Sequence, residues 1–251
     1  DYFSLKSLES NGLAALERVP EDLGLGNHTL SAKFISNKQR ALAAGDVAIA
    51  LQDFQELHQR LAQPDPALAA AMHAPRVGDL LRSAFLLSGI ALDGVQIVQQ
   101  MFPTIVAFAD VYVSAPLTNN GPSNQGDGAL SIQDLTNVQQ DFQNAMPYVS
   151  DLIMRLHDTP PSVLFAALSA SQQAKLMPFL QLVPQIPTIM PLIQQFLPAA
   201  PAILGINQPA AYLITTMDPA EMRATGGFQG NYAIMEMRAG RPGSISLQDV
   251  Y

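Results

Sequence analysis

The densest cluster of residues that could do chemistry lies between positions 221 and 232. Arg223 carries five N–H donors, which suit a carboxylate, a phosphate or a set of backbone carbonyls. A Gly-Gly pair three residues later permits backbone angles that bring main-chain N–H groups close to a bound group. Two interpretations follow: an anion-binding pocket, or a structural joint in which Glu221 and Arg223 tie a turn to a sheet. No catalytic residue is predicted. The candidate binding residues are Glu221, Arg223, Thr225, Gly226, Gly227 and Phe228.

A second pattern, between positions 123 and 134, resembles the later half of an EF-hand calcium loop. Asp127, Ser131 and Asp134 stand where such a loop has its fifth, ninth and twelfth residues. The corresponding first and third positions hold Ser123 and Gln125 rather than carboxylates, so few hard oxygen ligands remain. The alternative is a turn that leads into a helix, with Ser131 as its N-cap and Asp134 as the capping-box partner.

The other titratable residues form no recognisable catalytic or metal-binding pattern. The chain has four well-separated histidines and no cysteine, which excludes disulfides, thiolate catalysis and cysteine-bound zinc. Neither a GxxxxGK[ST] phosphate loop nor a Ser-His-Asp spacing occurs, and we predict no cofactor. Asp79, Asp93 and Asp110 lie in a largely apolar stretch. A carboxyl group there has a pKa raised by burial, points outward to solvent, or pairs with a cation such as Arg76 or Arg82.

Composition narrows the class of protein further. Of 251 residues, 13 are Lys or Arg and 21 are Asp or Glu, a net charge of −8 that argues against a nucleic-acid partner. Charged residues make up 14% and apolar residues 48%, so the chain can bury a core and is not a disordered tail. No run of eighteen apolar residues occurs, so we expect that the chain does not span a membrane by itself. Because it opens at Asp1 without a leader and stops at Tyr251 without an obvious end signal, we expect it to be a piece of a longer protein.

The elements that must position these residues are helical over the first two thirds. Apolar residues recur with a helical period over 29–61, and Gly45-Asp46 inside that run predicts a tight hairpin or a kink. The stretch 77–113 is apolar on all sides, which predicts a helix at the centre of a bundle. The pattern over residues 131–156 predicts an amphipathic helix in which Pro147 is the one possible interruption. A surface loop is predicted before it, over 114–128.

Residues 176–209 are apolar and rich in proline. This segment is either a surface that docks on a membrane or a partner, or a set of short helices packed on the bundle. We expect the short helices, broken at the prolines, with their apolar side mostly covered.

Extended, β-prone runs follow at 211–217, 232–238 and 244–247, the last two forming a β-hairpin. The predicted fold is therefore mainly α: a helical bundle over 1–207, then, over 208–251, the first strands of a mixed α/β domain that is incomplete in this chain. So few strands leave open edges, and we expect other strands to pair with them.

The run Glu221-Met222-Arg223-Ala224-Thr225-Gly226-Gly227-Phe228 resembles the signature of the bacterial family known as domain of unknown function 4012. A strand beginning Tyr212-Leu213-Ile214 precedes it and Asp249-Val250-Tyr251 follows it, as in that family, although Asp218-Pro219 stands where the family has Asn and a second polar residue. The resemblance implies a cell-envelope protein with an upstream membrane helix, an outward-facing body and a larger C-terminal α/β region. The biochemistry of that family is unassigned.

Together these observations favour a non-enzymatic structural or assembly module, exposed outside the membrane. We expect its partner to be the remainder of the same polypeptide or another protein chain that completes the sheet. One alternative is a transferase or hydrolase acting on cell-surface glycopolymers, with Arg223 holding a phosphate or a sugar acid. Another is a docking subunit of a larger membrane complex that uses residues 176–209.

Overall fold

The computed structural model describes residues 2–23, 35–114, 129–160, 162–163, 170, 173–174, 177, 185–218 and 228–249. These residues form seven helices and one antiparallel sheet of three strands, as the predicted mainly helical fold class requires. The helices are α1 (Tyr2–Asp22), α2 (Asn37–Ala62), α3 (Pro66–Met72), α4 (Val77–Ser114), α5 (Ile132–Asp158), α6 (Ile186–Phe196) and α7 (Ala200–Ile203). The strands are β1 (Ala210–Asp218), β2 (Phe228–Arg238) and β3 (Arg241–Asp249).

Helix α4 is the centre of the bundle, as its all-round apolar sequence predicts. It packs against α2 and α3 on one side and α5 on the other, while α1 packs against α2. One core layer joins α1, α2 and α4 around Phe54 and Val95, and a smaller layer joins α4 and α5 around Ile90 and Leu152. Because three helices pack against α4, it buries residues along its length from Leu81 to Val111, although Val77, Leu80 and Phe108 stay exposed.

Over Val77–Ala109, α4 is long and apolar enough to cross a membrane by length and composition alone, with a mean hydropathy of 1.4. The central helix of a soluble bundle has the same composition, and α4 also carries the buried polar residues Ser83, Ser88 and Asp93. One such helix is therefore weak support for a membrane span.

The predicted hairpin at Gly45-Asp46 is wrong, since α2 continues through both residues; the kink, the other alternative, stays a prediction. Asp46 is buried and accepts hydrogen bonds from Arg18 of α1, with Arg18 Nη2 2.5 Å from Asp46 Oδ1. A glycine inside a helix costs only about 1 kcal/mol. A bidentate ion pair and the packing of α1 on α2 outweigh that cost, so the helix is not interrupted.

Prolines inside α4 and α5 also leave their helices intact. Pro147 lies within α5 and Pro103 within α4. Next to Pro103, the main-chain N–H and the hydroxyl of Thr104 both donate to Asp141 Oδ2 of α5, at 3.2 and 2.7 Å. The neighbouring helix thus supplies an acceptor at the point where a proline disturbs the ladder of α4.

The prediction for residues 176–209 is right in part. Two short helices, α6 and α7, each have a proline in the first turn, but Pro191 lies inside α6 without breaking it. The expectation of a mostly covered apolar side is wrong for α6, because Ile189, Leu192 and Phe196 are all at least 40% exposed. Only Met190 of this helix is buried.

The β-hairpin prediction is confirmed, with a tighter turn than the sequence indicates. Ala239 and Gly240 alone connect β2 to β3, and both have positive φ, at 49° and 80°, which is typical of a two-residue type I′ turn. The turn is fixed to the helical part, since Gly240 N donates to Leu204 O at 2.8 Å and Leu130 N donates to Ala239 O at 2.9 Å. A Cβ at Gly240 would lie 2.7 Å from Leu130 Cδ1, and this contact and the positive φ both favour glycine.

Candidate functional site

Most of the predicted binding cluster falls outside the described part of the chain. This holds for Glu221, Arg223, Thr225, Gly226 and Gly227, and so for the predicted contacts of Arg223. Phe228 is the first residue of β2 and pairs with Asp218, the last residue of β1. Asp218 and Phe228 thus lie at the end of the sheet opposite the hairpin turn.

Two polar pairs join β2 and β3 at that same end of the sheet. With its amide oriented to donate, Asn231 Nδ2 lies 2.8 Å from Asp249 Oδ1. The Tyr232 hydroxyl donates to the side-chain oxygen of Gln248. These cross-strand bonds help to hold the register of β2 on β3.

Of the three candidate calcium-binding residues, two lie in the described part of the chain. Asp127 lies outside the described part, whereas Ser131 and Asp134 form a reciprocal capping box at the start of α5. Asp134 Oδ2 accepts from Ser131 N at 2.7 Å, and Ser131 Oγ accepts from Asp134 N at 3.1 Å. The predicted capping interaction is confirmed, and it uses Asp134 Oδ2 and Ser131 Oγ; the calcium site stays a prediction. Within the described ranges, no three His, Asp or Glu side chains lie close enough together to hold a metal ion.

Where α2, α4 and α5 meet, the structure brings together polar side chains that no sequence motif predicts. Asp93 of α4 is buried, and Arg155 Nε of α5 lies 2.7 Å from its Oδ2. Burial raises the pKa of Asp93, while the charge of Arg155 opposes that rise. Asp79, by contrast, is exposed and lies 3.8 Å from Arg82. The side chain of Asp110 is outside what the structure describes.

His58 of α2 extends this cluster. Its Nδ1 lies 3.0 Å from Ser88 Oγ, and its ring stacks on Phe85 with centroids 4.7 Å apart. The Ser88 hydroxyl donates to the Phe85 carbonyl at 2.8 Å, so the hydrogen-bond network assigns the shared proton to His58 Nδ1. Burial, and then the charge of Arg155, lower the pKa of His58.

The cluster formed by Asp93, Arg155, His58 and Ser88 has a structural role. Ser88 is buried and uses its proton on a main-chain carbonyl, and His58 donates to Ser88 rather than accepting from it, so the pair is not arranged as a nucleophile and base. Gly89 provides the space for it: a Cβ there would lie 2.9 Å from Arg155 Nη1 and 3.3 Å from His58 Cε1. The cluster therefore fixes how the three helices pack.

Part of this cluster was visible in the sequence. For Asp93, inside an apolar helix, the sequence predicts a pKa raised by burial, a side chain that points outward, or a cationic partner; the side chain is buried, burial raises its pKa, and it has a cationic partner. The partner is Arg155, 62 residues away, rather than Arg76 or Arg82. The pairing of His58 with Ser88 gave no signal, because the two residues are 30 positions apart and lie on different helices.

A second charged cluster joins α1 to α2. Arg18 Nε lies 3.2 and 3.1 Å from the two carboxylate oxygens of Asp46. The hydrogen bonds from Arg18 lower the pKa of Asp46, whereas burial and the neighbouring Asp46 raise the pKa of Asp22. Two carboxyl groups close together disfavour ionisation of the pair, so Asp22 retains its proton more readily while Arg18 keeps Asp46 ionised.

Comparison with protein-family models, with curated proteins and with solved structures finds no match to this chain.

The lowered pKa of His58 predicts that stability falls on mild acidification. An unfolded chain takes up a proton at His58 near pH 6.5, whereas the folded chain resists it beside Arg155. Stability is therefore present above about pH 6.5 and is lost as the pH falls toward the folded-state pKa. Urea unfolding at pH 7.5 and 5.5 should give a lower midpoint at the acidic pH. The raised pKa of Asp93 has the opposite effect, because it favours the folded chain as the pH falls. That effect begins at a pH nearer the ordinary pKa of a carboxyl group.

The matched variant is His58→Gln, which can still hydrogen-bond to Ser88 but does not titrate. Its midpoint should change less between the two pH values than that of the wild type. Parallel losses in the two proteins would show that another group causes the effect.

Proposed function

We propose that this chain is a non-enzymatic interaction or assembly module of a bacterial cell envelope, exposed outside the membrane and anchored upstream. The cellular address rests on the resemblance of residues 221–228 and their flanking strands to domain of unknown function 4012. The interaction role rests on the sheet. In its described part, more apolar surface is exposed to solvent than in a sheet whose faces and edges are covered.

Both faces of the sheet expose apolar side chains. On one face Leu213 and Ile234 pair directly across β1 and β2, and Leu213 is 67% exposed. On the other face Ile214 and Leu247 flank Ala233 from the two outer strands, and Leu247 is 63% exposed. A soluble sheet normally covers at least one face and protects its edges. This exposure is the observation that carries the proposal.

The sheet is also attached to the bundle at one end only, as far as the described residues extend. Tyr212 donates through its hydroxyl to Ile203 O at 2.5 Å, and Ala239 N donates to Gly205 O at 2.8 Å. The sheet order is β1-β2-β3, so within the described ranges no strand pairs with the outer edge of β1 or of β3. We propose that further strands, from the remainder of the same polypeptide or from another protein chain, complete it.

The exposed face of α6 favours a second candidate function, a docking subunit of a larger membrane complex. Ile189, Leu192 and Phe196 stand three and four residues apart, which places them on one side of the helix. Leu192 is 60% exposed, although α6 carries no charged residue that would make exposure of this side to solvent favourable. An apolar stripe of this kind fits a groove on another protein.

Site-specific photocrosslinking in bacterial cells that produce the protein distinguishes these functions. A photoreactive residue at Leu213 or Leu247 should give a discrete crosslinked product in the envelope fraction. The control is Met154 of α5, an apolar residue that is 57% exposed outside the sheet. Products at Leu192 but not at the sheet positions would favour the docking subunit. Equal products at all positions, or products in the cytosol alone, would contradict both.

A further inference from the structure

A cleft of about 340 Å³ lies between α5 and α6. Its floor is apolar and contains the buried Met190, and its rim carries exposed glutamine amides. Every described residue that lines it is uncharged, although the whole chain has a net charge of −8. The residues that matter most are Gln139, Phe142, Gln143, Met146, Met190 and Gln194.

The rim amides are not used within the described part of the protein. The side-chain amides of Gln139, Gln143 and Gln194 make no hydrogen bond to another described side chain or main-chain group. Their neighbour Gln140, which does not line the cleft, donates to Asn144 at 3.0 Å. The cleft therefore presents donors and acceptors that its own walls do not pair.

Two prolines add main-chain acceptors at the same place. Pro147 and Pro198 have no N–H, and each stands four residues after a glutamine of the rim. The carbonyls of Gln143 and Gln194 consequently lack the usual helical donor at position i+4. The amide side chains at the rim of the cleft suit a ligand that has both N–H donors and C=O acceptors.

We propose that this cleft binds a short, uncharged peptide segment with apolar side chains. The rim would pair with the peptide amides, and the methionines would adapt to the apolar side chains. A charged ligand would find no counter-charge among the described lining residues. An acyl chain would contact the apolar lining but would make no hydrogen bond to the rim amides, whereas a peptide does both. The volume lies near the lower end of the range of about 300–1,000 Å³ for ligand pockets, which suits a short segment.

The test uses the whole chain with ¹³C-labelled methionine methyl groups and the probe acetyl-Leu-Leu-amide. The peptide should shift the methyl signals of Met146 and Met190 in a saturable way, more than those of the other eight of the ten methionines. The double variant Gln143→Leu/Gln194→Leu should bind about tenfold more weakly, because it loses two hydrogen-bonding side chains. The Gln140→Leu variant changes the residue that follows Gln139 but lies outside the cleft. It should bind the peptide as the wild type does.

Acetyl-Glu-Glu-amide, an N-acetylglucosamine disaccharide and octanoate serve as competing ligand classes. The proposal is overturned if the peptide shifts neither methionine, if it shifts Met235 and Met237 of the sheet instead, or if the double variant keeps its affinity. Stronger shifts with the sugar or with octanoate would overturn it in favour of that class. Because no test position lies in the sheet, failure here leaves the proposed envelope function to its own crosslinking test.

Discussion

Replacing Arg155 with alanine should destabilise the protein by about 3 kcal/mol at pH 7. Removing one partner of a buried ion pair costs about 3–5 kcal/mol, because the other charge stays buried without compensation. The Asp93 side chain is only 5% exposed, but that of Arg155 is 36% exposed, which places the expected loss near the lower limit. The measurement is the free energy of unfolding from urea titration, followed by circular dichroism.

The matched control is Arg82→Ala, which removes an equally charged side chain from an exposed pair with Asp79. That change should cost less than about 1 kcal/mol, as is usual for surface pairs. The double variant Asp93→Leu/Arg155→Leu should recover part of the stability that Arg155→Ala loses, since no charge is then left buried. Equal losses for the Arg155 and Arg82 variants would show that the buried pair does not fix the packing of α4 on α5.

The second large effect concerns Phe54, whose ring lies between α1 and α2 against Gly12. Phe54→Ala should cost about 3–5 kcal/mol, because it removes a buried aromatic side chain and leaves a cavity. In the wild type, a Cβ at Gly12 would lie 2.9 Å from Phe54 Cε2, so Gly12→Ala should also destabilise. In the Phe54→Ala background the same change removes no contact and gains about 1 kcal/mol of helix propensity. The sign of the Gly12→Ala effect should therefore reverse.

A double-mutant cycle on the free energy of unfolding measures this reversal. Gly45→Ala is the control, since a Cβ at that exposed position of α2 meets nothing within 4 Å. It should stabilise both backgrounds by about the same amount. If Gly12→Ala has the same effect with and without Phe54, the close approach of α1 to α2 at this point is not what limits residue 12 to glycine.

The sequence alone determined those features whose cause lies within about four residues along the chain. The apolar surface of α4, the amphipathic pattern of α5 and the capping box at Ser131 and Asp134 all arise from i, i+3 and i+4 relations. The β-hairpin was visible for the same reason, because alternation and a glycine-containing turn are local signals. The candidate binding cluster at 221–228 was also found from local residue types, and it stays a prediction.

Only the tertiary structure decided which residues meet across helices. Sequence spacing offered Arg76 and Arg82 as partners for Asp93, yet the packing of α5 on α4 placed Arg155 there. The cluster with His58 and Ser88 depends on three helices at once, and its formation also depends on the missing Cβ of Gly89. No pattern within a single helix carries that information.

Tertiary contacts also decided where local helix breakers fail. Gly45 and Pro103 each disfavour a helix by a few kcal/mol at most, which is a local cost. Asp46 bonded to Arg18, and Asp141 bonded to Thr104, supply compensating interactions from a neighbouring helix. The sequence therefore determined where helices and strands can form, while the contacts between them decided whether each break occurred, because the energy of those contacts exceeds the local preference.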